Sequence, residues 1–251
     1  MRIGRPADWI ERARVPLQGL RRLGGALPDH CAVCRAPTRA VERRLCGDCV
    51  TRFAPPRPRC ERCALPLPTL QALCGGCLRE PPPWSSAVAA CDYGHPWDGL
   101  LAALKFDGAL DLAPGLAGLL ARRLAARAPV AVDAMLPVPL APRRLRERGY
   151  NQASLLAQAV ARARGVPVRE GHLLRLADTP PQLGLSRTQR RANLRGAFAV
   201  EPLALSALRG QRLALVDDVM TTGATLAEAS RSLLAAGAAE VQVWVVARTP
   251  D

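Results

Sequence analysis

Residues 213–226 read LALVDDVMTTGATL. Leu213 to Val216 run without a polar interruption, the pattern of a strand buried on both faces of a parallel sheet. Asp217 and Asp218 end the run. A turn of hydroxyls and small residues follows and leads into a helical pattern over 223–236, closed by Gly237. In an open α/β sheet, the carboxyl ends of the strands face the ligand crevice, so both acids stand where a ligand binds. The turn leaves backbone N–H groups free at the positive end of the helix dipole, an arrangement that attracts an anion. Gly223 lets the backbone approach that anion closely, Ala224 is the second small residue of the turn, and Thr221, Thr222 and Thr225 add hydroxyl donors.

Carboxylates repel a phosphate, so Asp217 and Asp218 serve a different part of the ligand. Ionised carboxylates only accept hydrogen bonds, and a vicinal diol donates two. The predicted ligand is therefore a ribose 5-phosphate unit, with its phosphate on 221–225 and its 2′- and 3′-hydroxyls on the two acids. A nucleotide P-loop is excluded because no G-x-x-x-x-G-K-[ST] occurs. A helix cap after a chance acidic pair is the alternative, but two acids at the end of a buried strand are costly without a partner.

From about residue 84 the chain alternates between the two periodicities. SAVAACDY, AVDAMLPVP (131–139), HLLRLA, RLALVDD and VQVWVVA read as strands. WDGLLAALKF reads as a helix, as does LAPGLAGLLARRLAAR, with Leu116, Leu119, Leu120 and Leu124 on one face. NQASLLAQAVARARG is a further helix, with Leu155, Leu156, Ala159, Val160 and Ala163 inward. This is an α/β pattern: a mostly parallel sheet flanked by helices. Two arginine-dense segments, 139–149 and 177–196, interrupt the alternation as loops, and loops of that length at strand ends are commonly functional.

Upstream, eight of the nine cysteines form four Cys-x-x-Cys units, Cys31/Cys34, Cys46/Cys49, Cys60/Cys63 and Cys74/Cys77, separated by 11, 10 and 10 residues. Sequential pairing supplies two tetrahedral thiolate sites for structural zinc, leaving no open position for a catalytic water. An iron-sulfur cluster or a redox dithiol is the competing use. Cys91, in an apolar run, reads as a buried small hydrophobe. The triple proline of LREPPPW marks a linker. The expected domains are a basic leader over 1–24, a double zinc ribbon over 25–80 and an α/β domain over 84–251.

The formal charge is +14, and each tetrathiolate zinc unit contributes about −2, which leaves about +10. That balance suits phosphates or nucleic acid. Lys105 is the only lysine beside 34 arginines, so a composition bias explains the charge as well. The leader is either a basic amphipathic helix or a solvated arm. No stretch approaches the ~20 apolar residues of a membrane span, nor is there a signal-peptide core, so the expected location is cytoplasmic.

VDDVMTTGAT resembles the phosphoribosyl pyrophosphate (PRPP) motif of type I phosphoribosyltransferases. The segments LPVPLAPRRLRERGYNQA (136–153), LKFDG (104–108) and RTQRRANLRGAF (187–198), downstream of paired cysteines, make the whole similar to the ComF family of competence-associated proteins. The resemblance implies a type I phosphoribosyltransferase-like fold behind an N-terminal double zinc ribbon, with Asp217, Asp218 and residues 221–225 holding PRPP together with Mg²⁺. Transfer would displace pyrophosphate from the anomeric carbon, and the leaving group would need cations. Arg143, Arg144, Arg146 and Arg148 are the candidates, Arg143 and Arg148 foremost. Arg187, Arg190, Arg191 and Asn193 fall in a segment similar to the loop that closes over PRPP in that superfamily; a plain helix capped by Ser186 with Gln189 at its third position is the equal alternative for that piece. Two classes of function follow: a transferase with an unidentified acceptor, and a non-catalytic binder of single-stranded DNA in the competence DNA-uptake machinery, with PRPP as ligand or regulator.

Overall fold

The computed structural model describes residues 29–38, 44–127, 131–176 and 196–250. The leader 1–24 and the segment with Arg187, Arg190, Arg191 and Asn193 lie outside them. Strands β1 (Asp29–His30) and β2 (Pro37–Thr38) form a short antiparallel hairpin in the cysteine-rich region, followed by helices α1 (Gly47–Phe53) and α2 (Gly75–Arg79). Each helix begins at a cysteine, because the thiol of Cys46 accepts from Cys49 N at 3.5 Å and that of Cys74 from Cys77 N at 3.4 Å. A sulfur thus fills the N-cap position usually taken by Ser or Asp.

The larger domain runs through β3 (Ser86–Asp92), α3 (Trp97–Phe106), α4 (Ala113–Ala126), β4 (Ala134–Pro137), α5 (Pro142–Arg148) and α6 (Gln152–Arg164). It continues through β5 (Leu173–Arg175), β6 (Phe198–Val200), α7 (Leu205–Leu208), β7 (Arg212–Met220), α8 (Ala224–Ala235) and β8 (Glu240–Arg248). Four strands form one parallel sheet in the order β3-β8-β7-β4. Its central strand β7 is buried on both faces, as its uninterrupted apolar run requires. Ala214 and Val216 pack into the layer of α4 and α6 with Leu116, Leu120, Leu156 and Val160. Leu213 and Leu215 pack into the opposite layer with Leu226, Ala229 and Leu233 of α8. Each such leucine, fully removed from water, contributes about 1.5–3 kcal/mol before entropy is counted.

Three expectations are corrected. The segment 139–149 holds a seven-residue helix, α5, with Pro142 in its first turn and Gly149 at φ 80° closing it. None of its residues is buried, so no apolar stripe betrays it. HLLRLA does not join the parallel sheet: β5 pairs antiparallel with β6 in a separate ribbon, since hydrophobicity marks a strand without naming its partner. Ala163 is exposed, and the inward face of α6 is made instead by Ala153, Leu156, Ala157 and Val160. Among the described residues no helix is long and apolar enough to cross a membrane.

Candidate functional site

The cysteines gather as their spacing predicts. Cys31, Cys34, Cys46 and Cys49 form one cluster and Cys60, Cys63, Cys74 and Cys77 another, each with its sulfurs within 4.8 Å of one another. Zn–S bonds of ~2.3 Å in a tetrahedron put sulfurs about 3.8 Å apart. Cys34 and Cys46 Sγ are 3.7 Å apart, as are Cys63 and Cys74 Sγ, so both tetrads fit zinc without rearrangement. In Cys31 and Cys60, burial raises the thiol but backbone amides outweigh it, bringing them to about 6 and about 7. Those amides favour the thiolate a metal needs. Cys91 behaves differently: burial pushes its thiol up to about 12, and it donates to Val246 O at 3.2 Å. It is a packed, unreactive side chain.

At the carboxyl end of the sheet lies a cavity of about 920 Å³ lined by Asp217, Asp218, Thr221 and Thr225. Asp217 and Asp218 both belong to β7, so the strand end itself delivers them. Gly223 takes φ 76° and precedes the first residue of α8, while Thr222 Oγ1 accepts from Ala224 N at 3.4 Å. A left-handed residue at this point folds the chain back as a tight turn and leaves the α8 N-terminus open. Thr222, Gly223 and Ala224 shape that turn, whereas Thr221 and Thr225 face the cavity.

Lys105, from α3, stands with its Nζ 2.5 Å from Asp218 Oδ2. The Asp218 side chain is only 4% exposed, and Oδ2 has no hydrogen-bond donor in good geometry among the described residues. The contact is ionic, and it engages an oxygen that is shielded from solvent. Asp217 turns inward to accept from Asp218 N at 2.9 Å. Burial first, then the neighbouring charge of Asp218, holds the Asp217 carboxyl well above the ordinary carboxylate range, with Lys105 pulling the other way. Perturbed acids in a cleft are characteristic of binding and catalytic sites.

The structure divides the candidate arginines. Arg144 and Arg148 line the cavity, and Arg175 joins them from β5. Arg143 is not among the lining residues: its side chain is 72% exposed and its Nε donates at 2.7 Å to Oε1 of Glu147, which does line the cavity. The segment RGYNQ explains how Arg148 is held. Gly149 ends α5, and Asn151 caps α6 by accepting from Ala153 N and donating to Val138 O. Gln152 accepts from the Arg148 guanidinium, which also stacks 5.4 Å over the Phe106 ring. Tyr150 donates to Leu104 O, fixing the end of α3 that carries Lys105. The sequence singled out Lys105, Phe106 and Asp107 only as members of the LKFDG segment, without roles; Tyr93 and Arg175 carried no signal and reach the cavity only through the tertiary fold.

A double zinc ribbon domain model matches residues 23–92, and a phosphoribosyl transferase domain model matches residues 152–251. DNA utilization protein YhgH of Salmonella typhimurium is 37% identical over 227 residues, covering 89% of this chain and 98% of that protein. Competence protein F of Haemophilus influenzae is 36% identical over 223 residues, covering 87% and 96% respectively. A solved structure of glutamine PRPP amidotransferase from B. subtilis aligns with 53% of this chain and 25% of that one, at 23% identity and a TM-score of 0.37. Two domain matches in tandem, with curated relatives aligned almost end to end, make the chain a member of the ComF family, with a double zinc ribbon ahead of a phosphoribosyltransferase domain.

Proposed function

We propose that this protein binds PRPP in the β7 cavity and acts in DNA uptake, transferring a phosphoribosyl group to an acceptor with release of pyrophosphate. One observation carries the reading. Two adjacent acids, a threonine turn at a helix N-terminus and three arginines share one cavity, so that diol, 5-phosphate and diphosphate each meet the chemistry that complements them. Asp217 and Asp218 accept from the ribose hydroxyls, and the 221–225 turn with Thr221 and Thr225 takes the 5-phosphate. Arg144, Arg148 and Arg175 neutralise the diphosphate as it departs; Arg143, paired with Glu147, would contribute only field. The acidic pair Asp217 and Asp218 would also hold Mg²⁺, which when bound supplies Lewis-acid stabilisation of the diphosphate. The role in DNA uptake draws on relatives named for DNA utilization and competence and on the positive charge.

The test is release of pyrophosphate from PRPP and Mg²⁺ in the presence of a bacterial metabolite extract. Transfer predicts release that Asp217→Asn abolishes; release that survives the substitution would contradict it. A second reading, a non-catalytic binder of single-stranded DNA with PRPP as ligand or regulator, is favoured by the same relatives and by the net charge of +14. It predicts oligonucleotide affinity that falls steeply with salt and no pyrophosphate release.

A further inference from the structure

The second cysteine knuckle touches the turn below the cavity through more than packing. Its three successive carbonyls are all engaged by the larger domain. Glu61 O accepts from Ala87 N of β3 at 2.8 Å, Arg62 O accepts from Trp84 Nε1, and Cys63 O accepts from Arg248 Nε at 3.1 Å. Arg62 returns a hydrogen bond from Nη1 to Trp84 O at 2.9 Å. Both receiving side chains continue to the ligand turn. Arg248, 4% exposed, donates from Nη1 to Met220 O at 3.4 Å, one residue before Thr221. Trp84, 3% exposed, places its ring so that a Cβ added to Gly223 would lie 3.0 Å from its Cη2 atom. Trp84, Ala64, Met220 and Ala224 belong to one buried cluster. Among the described residues the first tetrad has no hydrogen-bonded path to that turn. Its α1 helix packs toward α3, where Trp97 Nε1 donates to Phe53 O at 2.8 Å, on the opposite layer of the sheet.

We propose that Trp84 and Arg248 are positioning residues that couple the Cys60/Cys63/Cys74/Cys77 zinc site to the phosphate-binding turn, so that ligand affinity depends on the metal at this site and not at the other. The physical basis is that carbonyls 61–63 lie between two ligand cysteines. Four thiolates on zinc define that backbone, and without the metal the Trp84 and Arg248 acceptors lose their fixed positions. The 221–223 backbone then loses the wall that holds its left-handed turn. Because coupling between two binding sites is reciprocal, the ligand must also tighten the second zinc.

This inference rests on the reading of the cavity as a ribose-phosphate site, and ribose 5-phosphate is the probe. Zinc-loaded full-length protein is titrated with it calorimetrically, and zinc loss to a coloured chelator is followed with and without it. One hydrogen bond of ordinary net strength corresponds to about fivefold in affinity. Trp84→Phe, which removes the indole N–H together with the ring atoms that meet Gly223, and Arg248→Lys should each weaken ribose 5-phosphate by at least that factor while keeping both zincs. In the unmodified chain, ribose 5-phosphate should slow release of one zinc by a similar factor, and in Trp84→Phe it should not. A wild-type chain that binds the sugar phosphate while neither substitution changes affinity nor the sugar changes zinc release overturns the coupling. A wild-type chain that does not bind it overturns the ribose-phosphate reading instead.

Discussion

Replacing Lys105 by Met removes the one cation that, among the described residues, is in contact with Asp218 and leaves two neighbouring carboxylates in a largely buried site. The Asp218 side chain is 4% exposed and that of Lys105 25%, at 2.5 Å. Breaking a buried ion pair from one side costs about 3–5 kcal/mol. With a quarter of Lys105 in water, the lower end applies, about 3 kcal/mol. A protein of this size loses roughly 2–4 °C in Tm per kcal/mol, which predicts a fall of about 6–12 °C at pH 8 with zinc saturating. The loss has a definite pH dependence. Lys105 favours the charged form of Asp217, so this part of its contribution is present where Asp217 is ionised and shrinks as it protonates. Asp217, whose pKa is raised by burial and by Asp218, takes its proton well above the ordinary carboxylate range, so the gap to wild type narrows from pH 8 toward pH 5. Adding Asp218→Leu should recover stability, because the unpaired buried charge disappears. Melting curves across this range, by circular dichroism, measure it. A Tm at pH 8 within about 2 °C of wild type, a pH-independent loss, or a double variant no better than the single would refute the reasoning.

Three further outcomes follow from the same geometry. Asp217→Asn should melt higher than wild type at pH 8 and converge with it toward pH 4. A raised folded pKa gives stability that is present below the unfolded value of ~4 and is lost as pH climbs through the folded one, and asparagine has nothing to lose; a variant less stable than wild type at pH 8 would contradict this. Gly223→Ala forces an alanine to φ 76° with its Cβ 3.0 Å from Trp84, at a cost of about 1–2 kcal/mol from backbone handedness alone, so urea unfolding should shift by at least that and ribose 5-phosphate should bind more weakly. Native mass spectrometry should find two zincs per chain, one after Cys60→Ser, and progressive loss of both on acidification as the thiolates protonate; a metal content unaffected by pH 4 would count against tetrathiolate zinc.

How far the sequence reached can be read from particular residues. Leu213 to Val216 announced a strand buried on both faces because nothing polar interrupts them, and Asp217 and Asp218 could then only sit at its open end. The cysteine tetrads were equally legible, since metal geometry dictates the spacing within each Cys-x-x-Cys unit and the segments joining paired units are only 11 and 10 residues long. Helix α5 stayed hidden because it buries no residue and so leaves no periodic trace. Which arginines of that segment line the cavity depends on its helical phase: Arg144 and Arg148, four apart, share the inner face, while Arg143 reaches only Glu147 at the cavity's edge. The Lys105–Asp218 pair joins α3 to β7, and Trp84 and Arg248 bridge ribbon to turn. Contacts between residues so far apart in the chain leave no local pattern; only packing assembles them.

Isothermal titration of ribose 5-phosphate into the zinc-loaded full-length protein tests the central claim most directly. The account predicts saturable binding at one site per chain, weakened at least about tenfold by Asp218→Asn, which strips charge from the diol contact, and by Thr221→Val, which strips a donor from the phosphate turn. Heat of binding that is absent in wild type, or unchanged in both variants, would contradict it.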